Sequence, residues 1–97
     1  MPYITDDKRK LLDDEIAALA KKISDNIEAS DIEGTMNYVI TALLNKCMID
    51  DAPRYKKINQ VVGVLECVKQ EFYRRLAAPY EDKAIAKNGD IACYDTR

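Results

Sequence analysis

The stretch Tyr55-Lys56-Lys57-Ile58-Asn59-Gln60-Val61-Val62-Gly63-Val64-Leu65-Glu66-Cys67-Val68-Lys69-Gln70-Glu71-Phe72-Tyr73-Arg74-Arg75-Leu76 decides the fold. Tyr55, Ile58, Val61, Val62, Leu65, Val68, Phe72 and Leu76 recur at helical spacing. Val64 and Cys67 extend the apolar surface around the cylinder, so one partner helix does not cover it. Val61–Leu65 is valine-rich and strand-like in composition, but its flanks carry no turn signal and continue the helical repeat. Gly63 costs about 1 kcal/mol relative to alanine inside a helix. The close approach of a neighbouring backbone is the expected compensation.

Working outward, Pro79 breaks or kinks this helix after Ala78, and a short helix over Tyr80–Lys87 follows. Asn88-Gly89 stops it, because glycine accepts the left-handed conformation. Asp90–Arg97 is a tail with a short extended contact at Ile91. Upstream, Asp50-Asp51-Ala52-Pro53 separates the long helix from another, whose stripe is Met36, Val39, Ile40, Leu43, Leu44 and Cys47. Thr35 is placed to cap that helix, and Ser30–Gly34 reads as a connection. Nearer the N-terminus, Thr5 caps a short turn over Asp6–Leu11, with its hydroxyl accepting from a free backbone N–H. Asp13 is a second cap, for a helix carrying Ile16, Leu19, Ala20 and Ile23. The expectation is one all-α domain over residues 1–97. Two main helices form a hairpin, flanked by a shorter N-terminal helix and a short C-terminal helix after the proline kink, and the chain oligomerises.

Composition narrows the classes of function. The 97 residues are 47% hydrophobic and 33% charged, with only three glycines and three prolines. That is globular and helix-favouring. A domain this small buries a modest share of its surface, and self-association helps it. Fifteen basic and 17 acidic residues are interspersed, for a net charge of −2. No basic run neutralises a row of phosphates, so extended nucleic acid is not an expected partner. No apolar run approaches the length of a membrane span, and the acidic N-terminus lacks a signal-peptide core. Cys47, Cys67 and Cys93 are odd in number and widely spaced, which fits reduced thiols in the cytoplasm. The chain has no histidine. It therefore lacks the side chain best suited to proton transfer near neutral pH and both histidine-activated nucleophile pairs. The cysteines match no zinc spacing. Neither an enzyme, a metal site nor a cofactor is expected.

Several residues carry alternative readings. Phe72-Tyr73-Arg74-Arg75 and Pro79-Tyr80-Glu81-Asp82-Lys83 form the densest polar-aromatic segment. Guanidinium groups grip phosphate and tyrosine rings stack on bases; the plainer reading is a solvated face with Glu71 and Arg75 paired at i,i+4. Asn37, Thr41 and Asn45 form one polar stripe, and Asn59, Glu66 and Tyr73 another. These are either pocket walls in an oligomer or the margins of amphipathic helices. Glu66 is either a buried proton-transfer group or an exposed residue served by Lys69 and Gln70. Six tyrosines exceed what core packing needs and point to subunit contacts. The cysteines read as small buried hydrophobes, with Cys93 exposed.

Several blocks carry a family resemblance: Met1-Pro2-Tyr3-Ile4-Thr5, Met36-Asn37-Tyr38-Val39-Ile40-Thr41, Ile58–Lys69, Glu71–Arg75, Ala78–Lys83 and Asn88-Gly89-Asp90. The chain resembles a family of short, uncharacterised phage and bacterial proteins grouped as a domain of unknown function. That resemblance transfers no activity. By analogy of type, such chains are similar to small phage proteins that sequester nucleotide immune signals. The implied function is a homo-oligomeric sponge in the host cytoplasm, binding a cyclic ADP-ribose-type or cyclic oligonucleotide ligand between subunits. Arg74, Arg75 and Lys83 would contact phosphate, Tyr73 or Tyr80 would stack, and Asn37, Thr41 and Asn59 would orient the ligand. The alternative is a structural or interaction module that self-associates or grips a host protein. A sponge needs a deep pocket with convergent basic and aromatic groups; a module shows an uncovered apolar face.

Overall fold

A computed structural model describes residues 2–95. Every regular element among them is helical: α1 (Asp6–Asn26), a 3-10 turn (Ala29–Asp31), α2 (Ile32–Met48), α3 (Tyr55–Phe72), a π-helical segment (Tyr73–Ala77) and α4 (Ala78–Asn88). They group into two units, Met1–Val61 and Val62–Arg97.

The N-terminal helix is not the short one. α1 has 21 residues, against 17 in α2 and 18 in α3, and it runs through Asp13 without a break. An interior aspartate costs at most about 0.7 kcal/mol in helix propensity, and the apolar repeat of Leu12, Ile16, Leu19 and Ile23 spans it. Ion pairs of Asp6 with Arg9 (3.5 Å) and Lys10 (3.0 Å) brace the first turn. Thr5 begins the helix through its carbonyl, which accepts from the Arg9 N–H at 3.0 Å. Its hydroxyl makes no capping bond to the backbone. It bonds the Asp7 side chain instead, and this, with backbone N–H groups of Asp7 and Lys8, holds that carboxyl below its ordinary value despite slight desolvation.

α2 begins earlier than its sequence suggests. Ile32 already follows the 3-10 turn helically, so Gly34 and Thr35 lie inside α2 and Thr35 is not its cap. After Met48, Asp50 Oδ1 accepts from the Ala52 N–H at 3.1 Å, an Asx-type turn that ends the helix ahead of Pro53. α3 is one helix through Val61–Leu65, as the flanks imply.

Proline 79 does not end the long helix. Helical backbone continues from Tyr55 to Asn88, with one widened turn just before the proline. Pro79 has no N–H and its ring presses on the carbonyl four residues back. The ladder therefore slips: the Ala78 N–H donates to the Tyr73 carbonyl, five residues earlier. α4 ends at Gly89, with φ 88° and ψ 157°, a region open essentially to glycine alone. Beyond it Ile91 makes a turn, its carbonyl accepting from Tyr94 and Asp95, in place of the expected extended contact. Thr96 and Arg97 lie outside the described residues.

None of the described residues is buried. Neither α2 nor α3 contains a buried residue. On the α2 stripe Val39 and Leu44 are half-covered, while Met36, Ile40 and Leu43 face solvent. No atom approaches the Gly63 Cα face within 4 Å, so the backbone contact expected there is not made within the chain. Cys47 and Cys67 are exposed along with Cys93, not packed away.

Two outcomes follow from these local devices. Replacing Thr5 by Ala raises the Asp7 pKa toward its ordinary 3.8. Because the folded-state value is depressed, Asp7 favours the helix start above that ordinary value, and its contribution fades as pH falls through the depressed one. Carboxyl NMR titration reads the shift; an unchanged Asp7 would contradict the hydroxyl bond. Pro79→Ala restores a donor and converts Tyr73–Ala77 to regular α-helix. Residue 79 then gains a slowly exchanging amide, and backbone carbon shifts from 73 to 77 report the change.

Candidate functional site

The expected site residues fall into three groups. On α2, Asn37 and Thr41 line a shallow, open depression with Glu33, Gly34 and Tyr38. Their polar atoms serve one another. The Thr41 hydroxyl approaches Asn37 Oδ1 at 3.4 Å, and Asn45 Nδ2 donates to the Thr41 carbonyl at 3.0 Å. These are i,i+4 bonds along one exposed helix face, the pattern of a polar margin.

Asn59, on the first half of α3, is exposed and lines neither depression. Further along α3, Glu66 is also exposed. Its Oε1 accepts from Gln70 at 3.1 Å and lies 3.8 Å from the Lys69 ammonium. Lys69 and Gln70 are the two partners its sequence spacing offers.

The third group surrounds the widened turn. Lys69, Phe72, Tyr73, Leu76, Ala77, Tyr80 and Glu81 line an open, mostly apolar depression. Tyr73 and Tyr80 are thus brought together, as a stacking site requires. The basic residues are not gathered with them. Arg74 is held at 2.7 Å by Glu71, a half-buried carboxylate, so the ion pair is i,i+3 and not the expected pairing with Arg75. Arg75 and Lys83 are exposed and line no part of the depression.

Phe72, Tyr73 and Tyr80 belong to the polar-aromatic segment legible in the sequence, and Leu76 joins them in the lining. In a regular α-helix Phe72 and Tyr80, eight residues apart, sit about 80° apart around the cylinder. The widened turn takes up that drift. Pro79 was the available signal, and its effect on register was not read. All six tyrosines are at least 52% exposed, which suits side chains reserved for contact with another surface. Among the described residues no cluster of three or more Cys, Asp or Glu is placed to hold a metal ion, and no helix is long and apolar enough to cross a membrane.

A carboxylate as exposed as Glu66 contributes little to stability. Glu66→Ala is expected to shift unfolding by less than about 0.5 kcal/mol, the scale of exposed helix pairs; a loss of several kcal/mol on chemical denaturation would mean that the carboxylate is buried in the working form.

A family model described as a domain of unknown function (DUF6899) matches residues 1–91. No curated protein and no solved structure matches the chain.

Proposed function

The chain belongs to the family described as a domain of unknown function (DUF6899), and we propose that it is a helical self-association module whose core is completed by further copies of itself. One observation carries this reading: a sequence 47% hydrophobic buries none of its described residues. Single soluble chains rarely leave so much apolar surface open. An uncovered apolar face, rather than a deep pocket, is the mark of the interaction module.

A second reading keeps the homo-oligomer and adds a ligand. In it, pockets between copies sequester a nucleotide-derived signal of the cyclic ADP-ribose or cyclic oligonucleotide type, in the manner of small phage proteins. The observation in its favour is the pairing of Tyr73 with Tyr80 beside Lys69. Against it, Asn37 and Thr41 satisfy each other and Arg74 is engaged by Glu71. A bound phosphate would have to compete for Arg74, or rely on Arg75 and Lys83.

Native mass spectrometry of the purified chain, followed by thermal-shift measurement with cyclic dinucleotides and ADP-ribose isomers, tests both readings. The lead reading expects a defined oligomer and an unchanged melting temperature. An oligomer that melts several degrees higher with one nucleotide selects the second, through preferential binding to the folded form. A monomer at every concentration overturns both.

A further inference from the structure

The open apolar surface has one region where charge and size also vary in order along the helix. It follows the widened turn and is lined by Lys69, Phe72, Tyr73, Leu76, Ala77, Tyr80 and Glu81. Phe72 is 63% exposed, Tyr73 61%, Leu76 64% and Tyr80 72%. Resting on the self-association reading above, we infer that this stretch is a two-fold contact, packing antiparallel against the same stretch of a second copy.

Charge is the first reason. Lys69 stands at the N-terminal end of the patch and Glu81 at its C-terminal end. An antiparallel copy brings Lys69 toward Glu81 of the partner subunit, twice in each pair. A parallel copy sets lysine beside lysine and glutamate beside glutamate. Complementary charge at a contact fixes such a register. The bond Lys69 already makes, to Glu66 at 3.8 Å between exposed groups, is weak enough to yield.

Size is the second. With Phe72 set opposite Ala77 of the partner subunit, Tyr73 faces Leu76 of the partner subunit, and the two-fold axis repeats both pairings. Phe72 then meets the small Ala77 of the partner subunit, as interlocking helix surfaces require. The widened turn tightens this face, since it narrows the spread of Phe72, Leu76 and Tyr80 around the helix.

Area is the third. Three largely exposed aromatic rings and a leucine amount to roughly 500 Å² per copy, or about 1000 Å² for the pair. That reaches the lower size of a specific contact, and Leu65 and Val68 on the same helix remain open to widen it.

Sedimentation equilibrium of the full chain tests the inference with five proteins: wild type, Leu76→Asp, Lys69→Glu, Glu81→Lys and the Lys69→Glu/Glu81→Lys double variant. Leu76→Asp is expected to weaken association at least about tenfold, the scale of losing a central contact. Each single charge reversal weakens it several-fold, and the double variant returns to near the wild-type constant, as a coupled pair should. Should Leu76→Asp fail to fold, the charge variants, which alter exposed positions, still decide. A wild type that associates while the double variant is no better than the singles refutes this contact and leaves self-association standing. A wild type that never associates refutes both.

Discussion

The helices of this chain are apolar along faces that the chain itself does not cover, and the rest of its structure depends on what covers them. Backbone hydrogen bonds, caps and i,i+4 pairs define each helix locally. Such terms are worth tenths of a kcal/mol to about one each. Isolated helices of this length are marginal in water, and most helix stability in proteins comes from packing an apolar face. On α3 that face includes Leu65, Val68 and Phe72, all exposed. The self-association proposed above would supply a cover for that face.

Polar chemistry supports the same view by being largely self-contained. Asn37, Thr41 and Asn45 bond along α2, Glu66 is served by Gln70 and Lys69, and Glu71 holds Arg74. Each of these contacts joins neighbours one turn away along a single helix. What stays unsatisfied is apolar and aromatic, concentrated where Pro79 widens the helix. A proline that removes one backbone donor thus aligns Phe72, Leu76 and Tyr80 on a common face. The link from a local steric effect to a possible binding surface passes through helix register alone.

Much of this was legible in the sequence, for identifiable reasons. The helical spacing through Val61–Leu65 outweighed valine's preference for strands, and Gly89 marked the end of α4 through the conformation it adopts. The chain's all-helical character followed from the same periodicities. Thr5 marks the start of α1 at Asp6, whereas Asp13 and Thr35 resemble caps although apolar repeats carry helix across them. The hairpin was expected because two amphipathic stripes usually meet. Such pairing depends on tertiary context that periodicity does not encode. Tyr73 and Tyr80 line one depression, Asn37 and Thr41 another and Asn59 neither of these; polarity alone carries no information about placement.

Amide hydrogen exchange across a dilution series measures the dependence of α3 on an external cover most directly. The account predicts that amides from Val61 to Phe72 are protected in concentrated solution and lose that protection together as the protein is diluted through its dissociation range. Protection in that segment that stays constant down to a demonstrated monomer would contradict it, because the chain would then be hiding this face by itself.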